Sequence, residues 1–310
     1  MSYFVEDLLE SIKSRSLAPI SQSTFDDAKL ITMATEEMKL GLVSDLVGIR
    51  EDFFLTEEST TIIAGVADYS IPSRSIGNSL KQVFFVSSGS AEKRPLVRVD
   101  HERAQFYSTS GNSPEKYYLL GDEVVLLPTP QAAIGALLFV FAANPSDLAA
   151  TSTCTKITGA SSTATHTTFT VNTDLTSALS VGSFVDFLSG ASPYKLWKYK
   201  KEITAITSTT VEFLIGDVIN AASVVEPVAN DYICPTGTAN IPQLPISHHS
   251  ILAQMVVVRL MESLGDLNKL NSAKMTLAEM RSNGLKLIKN RVESSPEKIT
   301  GRGQLRNYFR

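Results

Sequence analysis

The sequence predicts an α+β protein with a helical body made by its N- and C-terminal helices, a small antiparallel β-sandwich and an inserted all-β, barrel-like module. Near both ends of the 310-residue chain, apolar residues recur at the three-to-four spacing of amphipathic helices. Between residues 60 and 148, short β-branched and aromatic runs alternate with Gly and Pro, as in a sheet of short strands. From residue 151 the composition shifts to Ser and Thr, and a second set of short strand patterns follows.

These shifts divide the chain into three parts. Residues 1–150 and 239–295 are predicted to form a core of helices and antiparallel sheet, and residues 151–238 an inserted module. Residues 296–310 form a basic tail that Gly301 and Gly303 make flexible. The length suits two domains, or one domain with a large insertion.

Four helices are expected, two at each end of the core. The first runs over residues 3–17, and the second continues to about residue 52 after a cap at Ser23 or Thr24. The third ends at Gly265, and the fourth runs over residues 267–292. Because the second and third are apolar on most sides, we expect a second covering surface, such as the sheet, another helix or a neighbouring subunit.

The clearest sheet element is a hairpin over residues 116–127. Gly121 and Asp122 form a two-residue turn of the kind that closes hairpins, between an aromatic run and a β-branched run. A second hairpin is expected over residues 60–71, turning at Gly65.

Within the inserted module, the loop over residues 189–200 carries the only Trp of the chain together with two Tyr and three Lys. Tyr194, Trp197 and Tyr199 are therefore a candidate binding surface. The alternative is that this loop packs its own aromatic rings onto the module.

Two cysteines, Cys154 and Cys234, flank the module. They are too few for a disulfide scaffold and suggest synthesis in a reducing cytoplasm, although a single bridge between them could form. The acidic N-terminus lacks the basic start and apolar core of an export signal. No apolar run approaches the roughly 18 residues that span a bilayer, so we expect no membrane partner.

No catalytic constellation emerges from the sequence. His248 and His249 are adjacent, about 100° apart on a helix, and cannot readily share one ligand. His101 lies beside two acids whose side chains point away from it in extended chain. Nucleophile-elbow, phosphate-loop and paired metal-ligand motifs are missing from the sequence. We expect a protein without enzymatic activity, cofactor or metal.

The net charge of −4 is unevenly distributed along the chain. From Leu267 onward there are ten Lys and Arg against three Asp and Glu, which leaves residues 1–266 at −11. The C-terminal part could therefore meet an acidic surface or nucleic acid, or could be a solvated helix face with a frayed tail.

In the tail, guanidinium groups could pair with carboxylates while apolar rings fill pockets of a partner. Its candidate docking residues are Arg302, Leu305, Arg306, Tyr308, Phe309 and Arg310.

Six short motifs occur in a characteristic order. They are Y-S-I-P at 69–72, P-E-K-Y-Y-L-L-G-D at 114–122, L-L-P-T-P at 126–130, N-P-S-D-L at 144–148, I-P-Q-L-P at 241–245 and L-M-E-S-L-G-D at 260–266. In this order and spacing the chain resembles the head-to-tail adaptor (connector or head completion) proteins of tailed bacteriophages, a group that includes the tail accessory factor of short-tailed phages. The resemblance covers nearly the whole chain except residues 151–238.

The resemblance implies a structural virion protein, assembled in the host cytoplasm. It implies a ring of copies of this chain, usually twelve, between the portal protein and the tail or nozzle proteins. Viral dsDNA would pass through the ring without sequence-specific contacts. Since C-terminal segments of such proteins typically reach the portal, the six tail residues are predicted portal contacts, and Tyr194, Trp197 and Tyr199 are predicted contacts of a tail protein.

Two other classes remain open. One is a phage receptor- or carbohydrate-binding tail module, in which residues 151–238 bind and Trp197 is a sugar platform. The other is a tail-associated hydrolase. The C-terminal helices and the basic tail favour the adaptor, because a free-standing lectin has no use for them.

Overall fold

The structure, a computed structural model, describes residues 3–16, 25–49, 51–90, 92–107, 110–111, 113–191, 194–214 and 227–287. These residues form a mixed α+β protein with several antiparallel sheets. The helices are α1 Val5–Ser16, α2 Asp27–Glu36, a π-helical turn Glu37–Leu42, α3 Val43–Ile49, α4 His101–Ala104, α5 Ile246–Leu264 and α6 Leu267–Leu287.

Helix α5 lies at the centre of the helical layer. Twelve of its nineteen residues are buried. Nine of these twelve share one apolar core with residues of α1, α2, α3 and α6, all from the same chain. Most of the apolar surface that suggested a covering neighbour is therefore covered within the chain, while Leu40 and Ile49 stay exposed. The buried part of these faces is no evidence for a ring. None of the helices in the described ranges is long and apolar enough to span a membrane.

Local sequence explains where α2 begins and where α5 ends. The Asp26 carboxylate accepts a hydrogen bond from the Lys29 N–H at 2.9 Å, so Asp26 caps α2. The predicted caps Ser23 and Thr24 lie outside the described residues. Gly265, at φ +72°, closes α5 as predicted, because glycine adopts the left-handed conformation without strain.

Two four-stranded sheets pack against each other beside the helices. The strands, in chain order, are β1 Leu55–Thr61, β2 Asp68–Ser70, β3 Gln82–Ser87, β4 Lys93–Pro95, β5 Val97–Arg98, β6 Ser110–Gly111, β7 Lys116–Leu120, β8 Glu123–Leu127, β9 Thr129–Pro130, β10 Gly135–Ala142 and β11 Asp147–Leu148. One sheet has the order β1-β10-β3-β4 and the other β2-β8-β7-β5. Phe85 and Phe139 of the first sheet share a core with Tyr117 and Leu126 of the second.

The two predicted hairpins have different outcomes. Strands β7 and β8 pair with Leu120 opposite Glu123, and Gly121 has φ +59°, which confirms the hairpin. The prediction of a hairpin around Gly65 is wrong, because β1 and β2 belong to different sheets. The Gly65 N–H donates to Pro130 O at 2.8 Å, so this segment crosses from one sheet to the other.

The inserted module is one seven-stranded sheet, ordered β15-β14-β18-β12-β13-β17-β16. Its strands and the strand that follows are β12 Thr155–Ser162, β13 His166–Val171, β14 Phe184–Leu188, β15 Leu196–Glu202, β16 Ala205–Ile206, β17 Thr210–Leu214, β18 Tyr232–Pro235 and β19 Thr238–Ala239.

This sheet is strongly curved. Strands β14 and β17 are four strand spacings apart, about 19 Å in a flat sheet. Yet the rings of Phe187 on β14 and Phe213 on β17 lie 5.0 Å apart. Strand β12 links the two halves of the sheet, because it pairs with β18 at Thr155 and with β13 from Ile157 onward. An irregularity between Ile157 and Gly159, of the kind that bends strands, lies where the partner changes.

The sheet nevertheless does not close into a barrel. In the part of the chain that the structure describes, β15 and β16 remain its two edges. The predicted barrel-like module is therefore corrected to an open, coiled sheet whose concave side is filled by a cluster of phenylalanines.

Candidate functional site: a buried junction between the body and the inserted module

The chain enters and leaves the inserted module through one narrow neck. Strand β11 on the way in pairs in parallel with β19 on the way out, with Asp147 opposite Thr238. Just inside, Cys154 and Cys234 form a disulfide, with their Cα atoms 4.4 Å apart. The single bridge that the sequence left open is thus present, and it joins the residue that precedes β12 covalently to β18.

Three of the loose sequence motifs meet beside this neck. Arg74, two residues after Y-S-I-P, donates from Nη2 to Ser146 Oγ of N-P-S-D-L at 2.6 Å. The Ser146 N–H donates to Gln243 Oε1 of I-P-Q-L-P at 2.8 Å. The Asn144 N–H donates to Arg74 O at 2.7 Å. Ser146 is fully buried, so these bonds fix three distant segments at one point.

The inserted module supplies the fourth part of this network. Asp186 on β14 is 0% exposed, and its carboxylate accepts from the Lys200 N–H and the Gly237 N–H, both at 2.9 Å. Arg74 Nη1 lies 3.8 Å from the same carboxylate. A buried carboxylate is stable only when paired and hydrogen-bonded, and here the cation comes from the body.

A bulge in β15 makes this arrangement possible. Lys200 has φ +52°, and the β14–β15 register shifts opposite Asp186. The bulge turns the Lys200 N–H toward Asp186, while the Tyr199 hydroxyl donates to the carboxylate of Glu58 on β1. Burial raises the pKa of Glu58, which the bond from Tyr199 opposes. Burial and the nearby Glu58 charge raise the pKa of Tyr199.

A second set of rings closes the junction next to α5. His249 is 1% exposed, and its ring lies 4.9 Å from that of Tyr3 and 5.7 Å from that of Tyr194. Its Nε2 lies 3.1 Å from Leu244 O and 3.2 Å from Pro242 O, so it donates to these carbonyls. Burial lowers the pKa of His249 to about 4, which keeps the ring neutral near pH 7.

The junction is built to hold two parts together. Its charged and titratable side chains each make at least one structural hydrogen bond, although Arg74 Nε and His249 Nδ1 are buried without a partner. Among the described residues no cluster of His, Cys, Asp or Glu could hold a metal ion. These bonds join the inserted module to the body at several points. The absence of enzymatic activity stays a prediction.

Two of the three aromatic residues predicted as a binding surface, Tyr194 and Tyr199, lie on this junction, and Trp197 packs within the module. Tyr194 is 3% exposed and contacts His249, and Trp197 is half-buried against the phenylalanine cluster of the module. Tyr199 is half-buried and bonded to Glu58. Residues 196–202 are strand β15, so the predicted loop over 189–200 is shorter than expected. These contacts agree with the packing alternative, and binding of a tail protein by these residues stays a prediction.

The six predicted portal contacts, from Arg302 to Arg310, lie outside the described residues. The polar residues of the junction were missed by sequence reasoning. Arg74, Ser146, Asp186 and Gln243 are far apart along the chain, and only the motifs that surround three of them gave a signal.

Comparison with protein families identifies the class of the protein. The family model described as SU10 adaptor protein matches residues 7–169, which is more than half of the chain. The chain belongs to the SU10 adaptor protein family, and the predicted resemblance to head-to-tail adaptors is confirmed. It is a structural adaptor and a component of the phage virion. The match extends 19 residues into the predicted insertion. A search of curated proteins found no match.

Proposed function

We propose that this adaptor joins the portal to the tail as one subunit of a ring, usually of twelve copies, around the channel for the viral DNA. The observation that carries the proposal is the family match together with the motifs that converge on the junction. The protein acts by position and has no catalytic step, and it assembles in the host cytoplasm before it becomes part of the virion.

The junction supports a mechanical role. The inserted module is tied to the body by a disulfide, a paired β11–β19 neck and the buried Asp186 network. A module fixed in this way keeps a defined position on each subunit, which a ring needs if twelve modules are to meet one tail assembly. We assign the outward surface of the module to contact with the tail or nozzle proteins.

The C-terminal tail is assigned to the portal. Its three arginines can form paired bonds with portal carboxylates, and Leu305, Tyr308 and Phe309 can fill apolar pockets. The DNA passes through the ring without sequence-specific contacts.

Truncation tests this assignment. Deletion of residues 301–310 is expected to abolish co-sedimentation with purified portal rings, because the chain loses three guanidinium groups and three apolar side chains. As a matched control, replacement of Arg302, Arg306 and Arg310 by Lys keeps the charge but removes the guanidinium forks, and should weaken binding only partly. Undiminished binding of the truncated protein would contradict the assignment.

The carbohydrate-binding alternative has no support from the geometry. Its sugar platform, Trp197, is half-buried against its own module, and its indole nitrogen is buried. Glycan binding by the full-length protein would revive this alternative.

A further inference from the structure

The disulfide lies at the point where the neck becomes the inserted module. Thr155 is opposite Ile233 in the β12–β18 ladder, so Cys154 and Cys234 are the next opposing pair. Their Cα atoms are 4.4 Å apart. Residues that lie directly opposite each other in antiparallel strands are often separated by roughly this distance. The strand pairing therefore holds the two cysteines side by side, whether or not their sulfur atoms are joined.

Hydrogen bonds to the helical layer hold both chains of the neck independently of the disulfide. On the way into the module, the Leu148 N–H donates to Thr35 Oγ1 of α2 at 3.0 Å. On the way out, Asn240 O accepts from the Val5 N–H of α1 at 3.0 Å. Strands β11 and β19 pair with each other as well. We therefore expect the reduced protein to keep the same fold, with two thiols in place of the bond.

Both cysteines are shielded from solvent. Cys154 is 3% exposed and Cys234 is 0% exposed. They belong to a small apolar cluster that includes Leu188, Tyr232 and Ile241. Because thiol–disulfide exchange requires the attacking and the attacked sulfur atoms to meet, an external disulfide reaches this pair only when the neck opens locally. The chemical state of the pair is thus linked to the opening of the neck.

We propose that Cys154 and Cys234 form a redox lock on the neck of the inserted module. In reducing surroundings the pair is a dithiol, and the neck is held closed by its hydrogen bonds alone. In oxidising surroundings the pair becomes the disulfide, and the two chains of the neck can no longer separate at this point. That the change follows assembly in a reducing host cytoplasm rests on the proposed function, whereas the two states of the pair do not.

The oxidant that the lock requires is a low-molecular-weight disulfide, such as oxidised glutathione. When the neck opens, the thiolate of Cys154, the more exposed of the two residues, attacks one glutathione sulfur and releases the first glutathione. The thiolate of Cys234 then attacks the Cys154 sulfur, forms the protein disulfide and releases the second glutathione. Two protein thiols are oxidised, one glutathione disulfide is reduced to two thiols, and the two protons pass to the released glutathiones.

Thiol trapping of the full-length protein tests the two states. Cells that produce the chain are quenched in acid, and free thiols are alkylated under denaturing conditions and located by tandem mass spectrometry. We expect both cysteines to be alkylated in cells with a reducing cytoplasm, and neither to be alkylated after the purified protein is incubated with oxidised glutathione. A disulfide already present in the quenched cells, or two free thiols after the incubation, would overturn the proposal.

Hydrogen exchange tests whether the disulfide closes the neck. The amides of Leu148 and Ile157, which are hydrogen-bonded on either side of Cys154, should exchange about tenfold more slowly in the oxidised protein than in the reduced protein, the factor of a 1.4 kcal/mol change in the free energy of opening. Amides of the β7–β8 hairpin in the body should exchange equally in both forms. Equal exchange at Leu148 and Ile157 in the two forms would overturn the lock.

The matched control is Cys154→Ala, which cannot form the bond. Its exchange at Leu148 and Ile157 should be the same with and without oxidised glutathione, and circular dichroism checks that the variant folds. A change in this variant as large as in the wild type would overturn the lock, because the slowing would then come from something other than the disulfide. If the variant does not fold, the two forms of the wild type decide the question without it.

Adding portal rings separates this proposal from the proposed function. If both hold, the reduced protein joins the portal, and its two thiols become the disulfide within the complex when oxidised glutathione is added. If the chain ignores the portal but its cysteines still change state, the proposed function fails and the lock stands. If the chain joins the portal but keeps two free thiols in oxidised glutathione, the lock is overturned alone.

Discussion

Asp186 is the residue on which the junction depends most directly. Its carboxylate is fully buried, accepts two backbone N–H bonds from the inserted module and lies beside Arg74 of the body. Removing one partner of a buried pair leaves the other charge uncompensated, which commonly costs about 3–5 kcal/mol.

We therefore expect Asp186→Ala to lower the free energy of unfolding by about that amount, measured by urea denaturation. Glu202→Ala is the matched control, because Glu202 is an exposed acid of the same module. Its change should stay within about 0.5 kcal/mol. If the two variants have the same stability, the network is not what holds the module.

His249 makes the stability depend on pH. Its pKa in the folded protein is lowered by burial to about 4, below the ordinary 6.5, so the folded state favours the neutral ring. For a lowered histidine pKa, the stability is fully present above pH 6.5 and is lost as the pH falls toward 4. His248, whose pKa burial also lowers, acts in the same direction.

Between pH 8 and pH 5, protonation linked to His249 should cost about 2 kcal/mol of unfolding free energy. His249→Gln can still donate to the Pro242 and Leu244 carbonyls but cannot titrate, so its stability should fall less over the same range. Parallel pH profiles for the wild type and this variant would refute the assignment to His249.

At the scale of the elements, two glycines show where the helices of the helical layer approach one another closely and where they do not. An added methyl group at Gly284 of α6 would collide with the buried Ile251 of α5, whereas one at the exposed Gly48 of α3 meets no atom within 4 Å. Gly284→Ala is expected to lose up to about 2 kcal/mol, the overpacking cost less the gain of about 1 kcal/mol from helix propensity. Gly48→Ala should gain about 0.5–1 kcal/mol from helix propensity. Thermal denaturation of both variants checks the opposite signs, and a stabilised Gly284→Ala would contradict the packing.

The inserted module is closed by its disulfide, which bridges a sequence separation of 80 residues. Cross-links over loops of this size typically stabilise a protein by about 2–5 kcal/mol, largely through the unfolded state. Reducing the wild type, or replacing both cysteines by Ala, should lower the urea midpoint by a corresponding amount. If the oxidised protein is no more stable than the reduced protein, the disulfide contributes nothing to the stability of the neck.

Sequence patterns predicted elements best where the signal was local. The β7–β8 hairpin was predictable because Gly121 and Asp122 fix its turn within two residues. The predicted hairpin at Gly65 failed because an equally good turn signal is used there to pass between two sheets. Strand β1 pairs with β10, about 75 residues further along the chain, and not with β2. No local sequence pattern indicates that pairing.

The junction was harder to predict, because its hydrogen bonds join residues up to 141 positions apart in the sequence. Asp186 lies in an ordinary strand pattern, and its burial depends on a cation from another part of the chain. The aromatic residues of the module were noticed for their chemistry, but sequence could not distinguish a ring that binds a partner from one that packs on its own subunit.

For the molecule as a whole, the buried apolar faces of the helices are not evidence for a ring, because the helices cover one another. What remains on the surface of this layer is a set of separate apolar side chains, with Leu40 80%, Met275 76% and Leu267 70% exposed. In a ring, each subunit offers two different faces to its neighbours, and these residues are available for such contacts.

Native mass spectrometry of the protein, alone and after mixing with its portal, tests the central claim most directly. We predict a free subunit that joins the portal as a closed ring, usually of twelve copies, so that the mass of the complex exceeds that of the portal by that number of subunits. A stable trimer, or a monomer whose mass is unaffected by the portal, would contradict the account.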